Sequence, residues 1–150
     1  MVDGPFVRAR AYGEAMASTT PSDATPAAIA PLASISIDCP DPPALAPFYC
    51  SLLGLAEAFA APDGAVIALA GAGPMITLMR VDDYVAPQWP DGPQRQQMHL
   101  DLAAEDLDTS SRAVVAIGGT EAPTQPDPGR WRVMLDPIGH PFCLSAVRSE

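Results

Sequence analysis

The sequence predicts an α+β fold built from two βαβββ modules, and three observations carry that prediction. The stretch ASISID at 33–38 alternates apolar and polar residues, with Ile35 and Ile37 on one face and Ser34, Ser36 and Asp38 on the other, which is the period of a half-buried strand. An aspartate then opens an apolar run of helical period, followed by three short strand-like runs separated by turn residues. The same order recurs: residues 34–41 (SISIDCPD) lie over residues 99–106 (HLDLAAED) at an offset of sixty-five, bringing the two helix-opening aspartates into register.

In the first module (33–81), Asp41 suits an N-cap, Pro42 suits the first helical turn, and Leu45, Phe48, Tyr49, Leu52 and Leu53 follow helical spacing up to Gly54. Pro47 lies inside that run and predicts a kink or a late start. Strand-like runs at 56–60, 65–70 and 75–81 follow, parted by PDG and GAGP. Residues 82–97 are too rich in proline and polar side chains for a strand, and read as a linker or lip carrying Tyr84 and Trp89. The second module (98–147) opens with the strand MHLDLA. Asp106 then starts a helix containing Leu107, Val114 and Ile117, which closes at Gly118 and Gly119. Strands near Thr120, at 131–135 and at 142–147 complete it. Residues 1–31 are mostly Ala, Pro, Thr, Ser and Asp without either period and are expected to form a mobile tail before a single domain at 32–148.

Composition narrows the function. Eighteen acidic residues against eight basic ones give a net charge of −10, which repels phosphate backbones and anionic lipid, so neither nucleic acid nor membrane is an expected partner. The absence of Lys excludes Schiff-base chemistry and the lysine-bearing phosphate loop. Cys39, Cys50 and Cys143 are odd in number and lack metal-type spacing, which fits a reduced cytoplasmic protein better than a secreted disulfide framework.

The motifs DCPDP…FYCSLLGL, PQWPD, HLDL and DPIGHPFCL, set in two βαβββ modules over about residues 33–147, resemble the vicinal oxygen chelate superfamily and, within it, glyoxalase-like domain proteins. The resemblance implies a cup of two curled, mostly antiparallel sheets with helices outside, a small ligand held in the cup, and a homodimer. In the superfamily's enzymes the cup holds a divalent metal, with ligands from the first and last strands of each module. The corresponding positions here are Ser34 in the first module, an uncertain choice near Ile76 or Thr77, and His99 and Cys143 in the second. His99 is the only residue of the usual ligand type, so the resemblance implies that a metal, if bound, is held at His99 and that the ordinary four-ligand site is missing. The expected reading is a small-molecule binding protein comparable to the superfamily's drug-binding resistance proteins, with a metal-dependent lyase, isomerase or dioxygenase as the rival.

Alternation independently predicts which residues face a ligand. With Ile35, Ile37, Leu100 and Leu102 under the helices, Ser34, Ser36, Asp38, His99 and Asp101 share the opposite face, joined by Cys143 and Ser145. Trp89 and Trp131 are candidates for stacking on a flat ligand. The bland alternatives are that Asp38 and Asp101 accept from loop amides or from Arg130 and Arg132, that His99 is a satisfied sheet histidine, and that His140 is a turn residue.

Overall fold

The computed structural model describes residues 28–147, so most of the segment expected to be a tail lies outside the described residues. Strand β1 (Ser34–Cys39) leads into helix α1 (Pro42–Leu53), then β2 (Ala56–Ala60), β3 (Val66–Ala70) and β4 (Met75–Arg80). The second module repeats the order with β5 (Asp101–Ala104), α2 (Leu107–Ala116), β6 (Thr120–Glu121), β7 (Trp131–Leu135) and β8 (Pro141–Ala146). Each module forms one open four-stranded sheet, ordered β1-β4-β3-β2 and β5-β8-β7-β6. First and last strands pair in parallel in each, while the other neighbours are antiparallel.

Both helices start where their aspartates place them. The Asp41 side chain accepts from the Ala44 N–H at 3.1 Å and the Asp106 side chain from the Thr109 N–H at 2.7 Å, each satisfying one of the orphan donors of a first turn. Gly54 ends α1 in the left-handed region at φ 65°, with its N–H on the Cys50 carbonyl, a conformation that costs glycine little. Of the two expectations at Pro47, the late start needs correcting: α1 starts at Pro42 and continues through Pro47. Proline there removes one donor near the start of the helix, and the burial of Leu45, Ala46, Phe48 and Tyr49 around it outweighs that loss.

Ile35 and Ile37 of β1 and Leu100 and Leu102 around β5 all pack against the main core, as alternation requires. That core is continuous across the modules. It contains Leu45, Phe48 and Tyr49 of α1, Ile76 and Leu78 of β4, and Met134, Phe142 and Leu144 of the second sheet. The rings of Phe48 and Phe142 meet edge-on at 6.2 Å between centroids. Beside them the Tyr49 hydroxyl donates to the buried Asp136 carboxylate at 2.9 Å. Asp136 also accepts from the N–H groups of Ile138 and His140 at 3.0 and 2.8 Å, which folds the DPIGHP segment into its turn and leaves no lone buried charge. His140 is thereby a turn residue, with its Nδ1 3.4 Å from Asp136 and 3.4 Å from the Tyr84 hydroxyl. No helix among the described residues is long and apolar enough to cross a membrane.

Candidate functional site

The open face of the second sheet, turned away from α2, gathers the chemistry. Asp101 and Cys143 are direct partners in the parallel β5–β8 ladder. His99 precedes Asp101 by two residues and so shares its face. The Cys143 N–H donates to the Leu100 carbonyl at 2.8 Å, which extends the ladder to His99's neighbour although the assigned strand begins only at Asp101. A nitrogen of His99, a carboxylate oxygen of Asp101 and the sulfur of Cys143 consequently all lie within 4.8 Å of one another. His99 Nε2 stands 3.6 Å from the Asp101 carboxylate, with the two side chains 30% and 50% exposed, whereas Cys143 is buried.

Two features tune this triad. Burial, and next the charge of Asp101, push the Cys143 thiol up to about 12, so it is protonated and a poor nucleophile at neutral pH. The Gln96 amide nitrogen donates to His99 Nδ1 at 2.8 Å, which orients the ring and, with the amide so placed, leaves the ring proton on Nε2. Gln96 was not singled out from the sequence: it lies in an irregular segment where no periodicity marks it, and three-residue spacing from a histidine is the only signal.

A second, smaller apolar cluster flanks Cys143. Ala122, Val133 and Cys143 are buried in it, and Trp89, Trp131 and Leu135 pack against them. The Trp89 indole N–H donates to the Thr124 carbonyl at 3.1 Å, which docks the lip onto the second module. The Arg130 guanidinium lies 5.7 Å from the Trp131 ring centroid, within cation–π range. Gln125 stitches the adjoining loop down by donating to the Ala122 and Val133 carbonyls and accepting from the Val133 N–H.

The first sheet carries a different set at the equivalent places. Ser36 is the ladder partner of Thr77, as Asp101 is of Cys143, so Thr77 and not Ile76 occupies the position matching Cys143. Ser34 Oγ donates to the Met75 carbonyl at 3.2 Å and lies 2.7 Å from Thr77 Oγ1. The two hydroxyls satisfy each other inside their own sheet. Ser36 and Asp38 are exposed on the same open face. The alternative pairing of Asp38 and Asp101 with Arg130 and Arg132 is not what the structure contains: Arg132 pairs with Asp108 and Glu121, and Arg130 with Asp127. Arg132 sits on the helix side of β7, so its reach is toward α2. Cavities of about 400 and 230 Å³ lie on the helix sides of the two sheets, and none of the predicted site residues lines either.

Two open four-stranded sheets, each βαβββ with its first and last strands paired in parallel, define a two-module protein of the vicinal oxygen chelate class. The family model for the glyoxalase-like domain matches residues 34–145, and the chain belongs to that family. Solved structures share the fold. A glyoxalase/bleomycin resistance protein/dioxygenase family enzyme from Burkholderia phytofirmans PsJN superposes with a TM-score of 0.59 at 19% identity, covering 79% of this chain and 100% of that one. A possible glyoxalase from Bacillus cereus gives 0.58 at 16% identity, covering 79% and 99%. A lactoylglutathione lyase from Agrobacterium tumefaciens gives 0.52 at 18% identity, covering 85% and 96%. At these identities the likeness is one of fold. No curated protein matches the chain.

The divalent metal that the superfamily implies requires ligands from both modules, and the donors here do not fit it. Ser34 and Thr77 offer neutral hydroxyls already engaged with each other, and the second module offers a thiol where an oxygen donor is expected. Hard oxygen-seeking ions select carboxylate, carbonyl and water instead.

Proposed function

We propose that this protein binds a small organic ligand on the open sheet faces, as a sequestering protein does, without the four-ligand metal chemistry of the superfamily's enzymes. The observation that carries the reading is the meeting, around Cys143, of a polar group (His99 and Asp101) with an aromatic border (Trp89 and Trp131). Such a mixture of a few directed polar groups and flat apolar surface is what small-molecule sites are made of. Asp38 and Asp101, with the net charge of −10, favour a cationic ligand, and Ser34 and Ser36 extend the polar face. The reading includes a homodimer in the cytoplasm, checked by light scattering on the purified chain.

The test is a fluorescence titration with acridine orange, a flat aromatic cation, against sodium anthraquinone-2-sulfonate, a flat aromatic anion. The cation should quench tryptophan emission saturably, and Trp131→Phe and Asp101→Asn should each weaken it. Equal response to both probes, or none to either, rejects the reading. A metal-dependent lyase, isomerase or dioxygenase is the second reading, favoured by the proximity of the three donor atoms.

A further inference from the structure

We infer that the cleft of about 400 Å³ between α1 and the β2–β3 hairpin is a second small-molecule site, which takes a neutral, compact apolar molecule carrying one hydrogen-bond donor, the class of phenols and aromatic alcohols. Its volume falls within the range of small-molecule sites. The cleft lies on the helix side of the first sheet, shares no residue with the open-face reading above, and does not depend on it.

A bulge in β2 opens the cleft. Phe59 is the one large apolar side chain of that strand, and the register shifts between Glu57 and Phe59. Glu57 pairs with Leu69 and Ala60 with Ile67, whereas Phe59 pairs with Ala68. The extra residue lets Glu57 and Ala60, three apart, both face α1, and it turns Phe59 to the open side of the sheet, where it is 56% exposed. Only small side chains of β2 are left under the helix beside Glu57. On the facing wall α1 presents Ala46, Pro47 and Cys50, because its large side chains, Leu45, Phe48 and Tyr49, belong to the main core. Ile67 and Leu69, both buried, form the floor. Small residues on both walls thus leave a space over an apolar floor.

The walls offer acceptors. Pro47 lies inside α1 and has no N–H, so the Pro43 carbonyl, one turn back, has no donor in the helical ladder. Pro43 and Pro47 both line the cleft, which puts that acceptor on its wall. The Glu57 carboxylate is the other. Its charge at one end of the cleft is offset at the other by Arg80, whose guanidinium donates to the Asp63 carbonyl at 3.1 Å and stands 3.4 Å from where a Cβ on Gly64 would lie. Opposite charges at the two ends favour neither sign of guest. A neutral molecule suits such walls: its body covers Ala46, Ala60 and Ile67, and its donor satisfies the Pro43 carbonyl, which the helix itself does not.

The experiment compares 2-naphthol with 2-methoxynaphthalene, which has the same body and no donor, on the full chain. Equilibrium dialysis gives the affinity, and protection of Cys50, on the rim of the cleft, from iodoacetamide gives the place, read by peptide mass spectrometry. 2-Naphthol should protect Cys50 saturably and bind about three- to tenfold more tightly than the ether. Pro47→Ala, which returns an N–H to the Pro43 carbonyl, should narrow that difference. Ala46→Leu fills the cleft and should abolish binding there. Ala60→Phe, at an exposed position of the edge strand, should do the same and gives the answer if Ala46→Leu fails to fold. Trp131→Phe, which weakens the open-face ligand, should leave the protection of Cys50 as it is, so the two readings fail separately. No protection by 2-naphthol, equal affinity for the ether, a preference unchanged in Pro47→Ala, or protection that survives in folded Ala60→Phe overturns the inference.

Discussion

Replacing Tyr49 by phenylalanine should cost the protein about 2 kcal/mol, because it deletes one hydrogen bond to a buried carboxylate and little else. Tyr49 and Asp136 are 2% and 3% exposed, and their side chains meet at 2.9 Å across 87 residues of sequence. A hydrogen bond to a charged group contributes about 1.5–3 kcal/mol. The ring stays in its place against Phe48, 5.3 Å away and nearly perpendicular, so no large cavity opens. The orphaned oxygen of Asp136 keeps only His140 Nδ1 at 3.4 Å. For a domain of this size a loss of about 2 kcal/mol lowers the melting temperature by roughly 6–12 °C. Urea unfolding followed by circular dichroism should show a lower midpoint with an unchanged slope. The pH dependence gives a second check. Burial, and then the charge of Asp136, raise the Tyr49 phenol well above its ordinary value. A raised group stabilises fully below its unfolded pKa, about 10 for tyrosine, and loses that contribution as pH rises beyond it. The gap between wild type and Tyr49→Phe should therefore narrow above about pH 10. A loss below about 0.5 kcal/mol at neutral pH, or a gap that widens in alkali, would refute the assigned bond.

Gly119→Ala should destabilise by about 1–3 kcal/mol through overpacking, since the added methyl would lie 2.5 Å from Val114 Cγ1 and 3.2 Å from the Phe48 ring; calorimetry measures it. Asp106 has its carboxyl held below the usual range by its hydrogen bonds to Thr109. Its capping contribution is thus present above the unfolded value near 4 and fades as pH falls through the lower folded value, so Asp106→Asn should flatten the acid limb of a melting-temperature profile. With a thiol reagent at pH 8, Cys50, on the rim of the cavity beneath α1, should react in the native chain, while buried Cys39 and Cys143 wait for denaturant; intact-mass spectrometry counts the adducts.

Much of this fold is legible in the sequence because its strands are short and alternate cleanly. Ile35 and Ile37 against Ser34, Ser36 and Asp38 assign a face without any tertiary information. The sixty-five-residue repeat carries that assignment to His99 and Asp101, alternation against Phe142 and Leu144 puts Cys143 on the same face, and the family resemblance implies that position as well. What resisted reading depends on contacts with no local signature. The continuation of α1 through Pro47 rests on burial against the rest of the core. The Tyr49–Asp136 bond joins distant segments, and Arg132 finds Asp108 and Glu121 only once α2 lies over β7. Gln96 and the docking of Trp89 onto Thr124 arise from a lip whose path follows no period.

The parallel pairing of first and last strands has a consequence for synthesis on the ribosome. β1 is made early but cannot complete its own sheet until β4 emerges, so each module closes all at once at its end. The second module repeats this delay, and its closing strand, β8, is the last of the described strands. Until that strand clears the exit tunnel, Tyr49 lacks Asp136's finished turn, Phe48 lacks Phe142, and β5 presents a bare edge. A chain truncated before Pro141 would be left in that state, with an open strand edge and an uncovered core that invite aggregation. For this domain the six residues of β8 complete what everything made before them has left open.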